Sequence, residues 1–295
     1  MKTNSKEMLN NTLEQIIEKV ETAGSWIKPF KSAIVAGMPI NYQTKAEYKG
    51  MNIFSLWLEA VGKGFNSNKW LTFKQCKTLG GTVLKGEKAT PIYFFKPLKI
   101  KEENKQGELK DKIIPMLKMY YVFNIAQTTL KDEEVEEAGE VEELEHIERC
   151  KSFFDNLDFL EVKSTSSQPS YNCTQDFINM PDKNNFISIG EYYSTLGHEY
   201  IHSTGHETRN KREMSNKKED YAFEELIAEL GSIFLMAHLG IKEEAIQDNS
   251  AAYLKSWLKA LKSDPKYLWK AGAEAQKAFN YLIEHTENKN LSLAS

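Results

Sequence analysis

The sequence predicts an α+β fold in two domains, and three observations carry that expectation. The chain has 295 residues, more than most single hydrophobic cores organise. Its net charge of −4 is unevenly spread, with +9 over residues 1–130, −8 over 131–149 and −5 over 150–295. This reads as a basic domain (1–130), an acidic linker (131–149) and a second domain (150–295). Helical periodicity also alternates with short β-rich runs in both blocks.

Composition narrows the class. The chain is 41% hydrophobic and 27% charged, ordinary globular values. No apolar run approaches the ~18 residues of a membrane span. The first residues are polar, with no apolar signal core, so a cytoplasmic location is expected. Cys76, Cys150 and Cys173 are odd in number and form no C-x-x-C pair, which fits a reducing compartment and gives them no chemistry.

The elements follow in order. Met8, Leu9, Leu13, Ile16, Ile17 and Val20 keep helical spacing over 7–23, and Gly24 ends that helix. Pro29 and Pro39 predict extended chain and turns over 25–45. The apolar run 53–61 is a helix with Asn52 as its cap. Thr72 caps a short helix that the Gly80-Gly81 pair stops. Strands are expected at 82–84, 91–95 and 119–125, with a turn at 85–88 and a polar loop over 101–112. In the second block a helix over 145–156 precedes β-like stretches at 170–172 and 186–189. Helices are expected around 198, over 221–238, 251–261 and 265–283, with a frayed polar tail from Glu284.

One decapeptide concentrates the chemistry, Gly197 to His206, which contains H-E-x-x-H. On a helix His198 and His202 share one face and can grip one ion. Glu199 follows the first ligand directly and is placed to act as general base. A metal there lowers the pKa of water towards neutrality, which suits amide hydrolysis. Two surface histidines without a metal are the plainer alternative, but apolar flanks predict a largely buried helix, where histidines need partners.

A catalytic zinc usually takes three protein ligands. Thr208 stands where H-E-x-x-H-x-x-G-x-x-H would require a third histidine. The helix from Tyr221 offers Glu225 and Glu229, four apart on one face, whereas Glu224 is expected to point elsewhere. Glu225 is assigned as third ligand and Glu229 as the acceptor that orients a histidine, with the swapped assignment left open. Zinc is the expected ion, manganese the alternative. His206, Tyr221 and Arg209 are unranked choices for stabilising an oxyanion.

The basic block interleaves aromatic rings with lysines, the composition a single-strand binder needs. Trp26, Tyr42 and Trp70 are the expected stacking rings. Lys28, Lys69, Lys74, Lys85 and Lys88 are the expected phosphate contacts. Trp57 is assigned to the core.

Several motifs together resemble the ArdC-type antirestriction proteins, over nearly the whole chain. They are Gly50-Met51-Asn52, Trp70 to Gln75, Leu79-Gly80-Gly81, Lys85 to Lys88, Tyr121 to Asn124, Tyr193 to Glu199, Ser203 to His206 and Tyr221 to Gly231. The resemblance implies an N-terminal single-stranded-DNA-binding domain and a zincin-like metallopeptidase domain. It also implies carriage on a mobile element and protection of incoming DNA from restriction. Under it His198 and His202 are ligands, Glu199 the catalytic glutamate, and Glu225 and Glu229 belong to the glutamate-rich helix. The acidic stretch 131–149 is longer than the family pattern leads one to expect. Two alternatives stay open: a DNA-coating protein whose metal is structural, and a peptidase acting on a host protein.

Overall fold

The computed structural model describes residues 5–103, 109–131, 140–212, 218–241 and 251–293. The first block opens with α1 (Ser5–Ala23), a 3-10 turn at Lys28–Phe30 and α2 (Lys31–Val35). The prolines of 25–45 therefore do not keep the segment extended. Pro29 sits within the first helical turn, where its missing N–H costs nothing. Next come β1 (Ile40–Asn41), α3 (Met51–Lys63), β2 (Lys69–Leu71) and α4 (Phe73–Thr78). Thr72 caps α4 in a reciprocal capping box with Gln75.

β3 (Thr90–Glu103) and β4 (Leu109–Asn124) form a long antiparallel ribbon that completes a four-stranded sheet in the order β1-β2-β4-β3. The ribbon extends through much of the segment expected to be a polar loop. Cross-strand pairing carries it there, a signal that charge-rich composition hides.

Asn52 does not cap α3. Gly50, at φ 58°, precedes the helix, and the Asn52 side chain lies along the free edge of β3. Its Nδ2 donates to the Tyr93 carbonyl at 2.8 Å, and its Oδ1 accepts from the Tyr93 N–H at 2.8 Å. By strand alternation Pro91 and Pro97 occupy the same outward register, and neither has an N–H to offer. A buried amide and two prolines thus close an edge that could otherwise pair with another chain.

The second block comprises α5 (Glu140–Asp155), β5 (Glu161–Lys163), β6 (Ser170–Asn172), β7 (Phe177–Asn179), α6 (Ile189–Ser203), α7 (Lys218–Leu239), α8 (Ala251–Ser263) and α9 (Lys266–Leu293). The three strands form a sheet in the order β5-β7-β6. β7 replaces the strand expected at 186–189, where Ser188 instead caps α6 by accepting from Glu191 N–H. α5 begins inside the stretch expected to be linker, and 132–139 lies outside the described residues. α9 continues to Leu293, past the expected fraying point at Glu284. Asp158 fastens it by accepting from Lys289 at 2.7 Å, beside His285.

The two blocks share one core. Leu13, Ile16, Trp26 and Phe54 belong to the same cluster as Leu226, Phe234, Phe279 and Leu282. Phe54 meets Phe234 with ring centroids 5.9 Å apart. A smaller cluster of Tyr48, Leu56, Ala60, Trp70, Ile92 and Val122 fills the space between α3 and the first sheet.

Candidate functional site

α6 and α7 run antiparallel, with Ser194 opposite Ser232, His198 opposite Glu229 and Ile201 opposite Gly231. A Cβ on Gly231 would come within 2.9 Å of the Ile201 side chain, so glycine permits this close approach. The pairing brings the carboxylates of α7 onto the histidine face of α6.

His198 Nε2 and His202 Nε2 lie 3.1 Å apart. The Glu225 carboxylate is 3.7 Å from the first and 3.5 Å from the second. Ligand atoms from these three residues all fall within 4.8 Å of one another. Each ring then has its Nδ1 turned outward to a further carboxylate of α7. Glu229 is 3.9 Å from His198 Nδ1, and Glu224 is 3.2 Å from His202 Nδ1.

Glu224 corrects the sequence reading. A helical wheel of α7 sets it about 100° from Glu225 and off the shared face. The two histidines, however, present their outer nitrogens on opposite sides of Glu225, and Glu224 reaches the second. Arg212 holds it there, donating from Nε to Oε2 at 2.8 Å and from Nη2 to Oε1 at 2.6 Å. The same guanidinium reaches Thr204 Oγ1 at 2.7 Å and the Ile201 carbonyl at 2.8 Å, which ties the end of α6 to α7. Burial alone would raise the Glu224 pKa, but Arg212, followed by His202, outweighs it and brings it to about 2. In sequence Arg212 stands in a polar stretch between the two helices, where no periodicity marks it.

The donor set suits a divalent ion. Two imidazoles and a carboxylate match the ligand class of catalytic zinc sites with an open position. Burial works to keep His198 uncharged, yet its hydrogen bond to Glu225 and the charges of Glu199, Glu229 and Glu225 raise its pKa to about 9. The site attracts positive charge even against the cost of desolvation.

The cluster forms the floor of a cleft of about 660 Å³. Glu199 lines it beside His198, as do Tyr171 on edge strand β6, Phe186 and Tyr221. Tyr221 is about half exposed, and its hydroxyl bonds Glu225. Of the other two residues considered for an oxyanion, Arg209 is committed to Asp176, the Tyr171 hydroxyl and the Ser203 carbonyl. His206 bonds Thr208 Oγ1 at 2.8 Å and is not among the residues lining the cleft.

The residues expected to bind DNA are not brought together. Trp26 and Trp70 are fully buried and cannot stack on bases. Trp26 packs edge-on to Phe54, and Trp70 lies on a central strand facing Phe65. Each ring sits within two residues of a lysine in sequence, Lys28 and Lys69, a pattern that suggests exposure, but strand alternation and core packing turn it inward. Lys28, Lys74, Lys85 and Lys88 are exposed, and Lys69 is half-buried. Tyr42 is half-buried, with its hydroxyl on the Lys131 carbonyl.

Residues 6–123 match the family described as the N-terminal domain of anti-restriction factor ArdC. Residues 148–274 match the zincin-like metallopeptidase family. The crystal structure of the antirestriction protein ArdC from plasmid R388, metal-free, is similar over 95% of this chain and 97% of that one, at 38% identity and a TM-score of 0.75. Its Mn(II)-bound structure matches with a TM-score of 0.74 over 94% and 97% of the two chains, also at 38% identity. Protein y4eC of Sinorhizobium fredii is 31% identical over 94% of this chain and 91% of its own length. A DNA primase TraC of Escherichia coli is 31% identical over 92% of this chain, which spans only 26% of that primase.

Proposed function

As the chain belongs to the ArdC family of antirestriction proteins, joining that family's N-terminal domain to a zincin-like metallopeptidase domain, we propose that it binds single-stranded DNA through the first and cleaves peptide bonds with the second. The observation that carries the enzymatic half is the convergence of His198, His202 and Glu225 beneath a cleft that Glu199 lines. These three residues would hold a divalent ion, zinc or manganese. When bound, the ion supplies Lewis acidity at the reacting carbonyl and to the attacking water.

The rest is the chain's own work. Glu199 takes the proton of the attacking water and delivers it to the leaving amine. Tyr221, half exposed at the cleft, would turn its hydroxyl from Glu225, once that carboxylate holds the ion, to the oxygen that gains charge. Glu224 accepts from the outer nitrogen of His202, and the Glu229 charge faces that of His198, which together fix which nitrogen faces the ion. An extended peptide of a host protein fits a cleft bordered by an edge strand, and β6 is that strand.

Binding to single-stranded DNA is supported by the +9 charge of the first block and by exposed Lys28, Lys74, Lys85 and Lys88. The protein then acts on entering DNA of a mobile element in the cytoplasm, and protects it from restriction.

The test is Glu199→Gln in the full chain. The variant is expected to keep its metal stoichiometry and lose peptide hydrolysis by at least a hundredfold. Transfer of a plasmid into a restricting host then separates the two halves of the reading. Loss of protection ties it to hydrolysis. Full protection by the variant removes hydrolysis from the mechanism and leaves DNA binding.

A further inference from the structure

With Trp26 and Trp70 in the core, stacking rings must be sought elsewhere in the basic block. We propose that single-stranded nucleic acid lies across the outer face of the β3–β4 ribbon, with Phe94 and Tyr120 stacking on bases and Lys96 and Lys118 meeting phosphates. The proposal rests on the single-strand reading above and names its surface.

The register defines the face. Ile92 is opposite Tyr120, Phe94 opposite Lys118, and Lys96 opposite Met116, so these six side chains project to one side of the ribbon. The other side is covered only in part, with Phe95 and Tyr121 left 45% and 46% exposed. Tyr93 and Phe95 meet Trp269 of α9 edge-on at 6.2 and 5.4 Å, and the Tyr93 hydroxyl bonds Thr12 of α1. On the outer side Ile92 and Val122 are sealed by the smaller core, and beyond them the rings emerge. Phe94 and Tyr120 are each 40% exposed, and Leu98 further along the same register is 38% exposed. The two rings touch edge to face at 5.6 Å, which steadies them as a pair.

Charge selects the occupant. Within residues 90–101 and 116–124 this face carries Lys96 and Lys118 and no carboxylate. Lysine is depleted from the centres of protein–protein interfaces, so its place directly beside these rings argues against a protein partner. Rings alternating with cations match the repeat of base and phosphate, and only unpaired bases offer their faces to a ring. Next to the rings a groove of about 470 Å³, lined by Phe94, Phe95, Trp269 and Lys49, is large enough to take a base turned off the ribbon.

The experiment is fluorescence anisotropy of a labelled oligothymidine with the full chain over a salt series. Phe94→Ala with Tyr120→Ala is expected to weaken binding about tenfold or more at unchanged salt slope. Lys96→Ala with Lys118→Ala is expected to reduce the slope by about 1.4, from two lost phosphate contacts on a single strand. Phe94→Trp with Tyr120→Trp should retain affinity, because the larger rings still stack. Wild-type binding that survives both the ring and the lysine pairs overturns the ribbon surface while leaving the single-strand reading intact. Loss confined to Lys74→Ala with Lys85→Ala overturns it too, by moving the strand to the side of α4. A wild-type chain that binds no oligonucleotide at low salt overturns both the surface and the reading. A wild-type dimer that the ring pair dissociates assigns the face to a second copy and overturns the proposal.

Discussion

At the scale of single residues, the site shows how far a fixed spacing can be trusted. H-E-x-x-H needs only one helical turn to be correct, so His198, Glu199 and His202 are legible from the sequence alone. Glu225 is legible as an acid on an otherwise apolar helix. Glu224 and Arg212 are not, because their roles exist only where two helices meet. Glu224→Gln removes the charge held by Arg212 and facing His202 Nδ1. The expected result is a loss of metal affinity of about 10- to 100-fold, measured by competition with a chelator. Acidity provides a second reading of the same residue. The Glu224 pKa lies near 2 in the fold, against an ordinary 4.5. Its depressed value contributes stability that is fully present above 4.5 and lost as pH falls from there through 2. Acid unfolding of the metal-free wild type should therefore show a loss over that window that Glu224→Gln lacks. An identical acid profile for the two proteins contradicts the assignment.

At the scale of elements, β3 is instructive. Its apolar start is plain in the sequence, but its length is not. The charged residues beyond Lys99 give no periodic signal, and the pairing to β4 that extends it joins positions distant in the chain. The role of Asn52 is hidden in the sequence for the same reason. A cap and an edge plug need the same short amide, and only the tertiary placement of α3 decides between them. Asn52→Ala leaves both the N–H and the carbonyl of Tyr93 buried without that partner. It should destabilise the chain by about 2–3 kcal/mol, read from urea unfolding at unchanged slope. A change below about 0.5 kcal/mol would show that another group closes the edge.

At the scale of the whole molecule, the uneven charge and the two family matches delimit two blocks, yet the apolar residues do not respect the division. Phe54 packs on Phe234, and Trp269 packs on the first sheet. The Gly50 N–H donates to Gln276 at 2.7 Å, and His238 meets Glu47 at 2.8 Å. Sequence patterning shows which positions are apolar but not which apolar faces belong together, and so the division looked cleaner than it is. The intact metal-free chain is expected to unfold in one calorimetric transition. Residues 1–130 and 150–295 expressed separately should each bind a dye for exposed apolar surface and melt, if at all, well below the intact protein. Two independent transitions, each reproduced by an isolated half, would contradict a common core.

That shared core also constrains inheritance. A recombination joint placed near residue 140 would leave Trp26 and Phe54 facing water on one product and Phe234 and Phe279 on the other. Genes that borrow one half without its matching half would encode chains prone to aggregate, and selection would remove them. The pair is therefore expected to travel as one cassette, with viable joints lying outside both halves. The TraC primase, which is similar to 92% of this chain within about a quarter of its own length, has the layout such a rule produces.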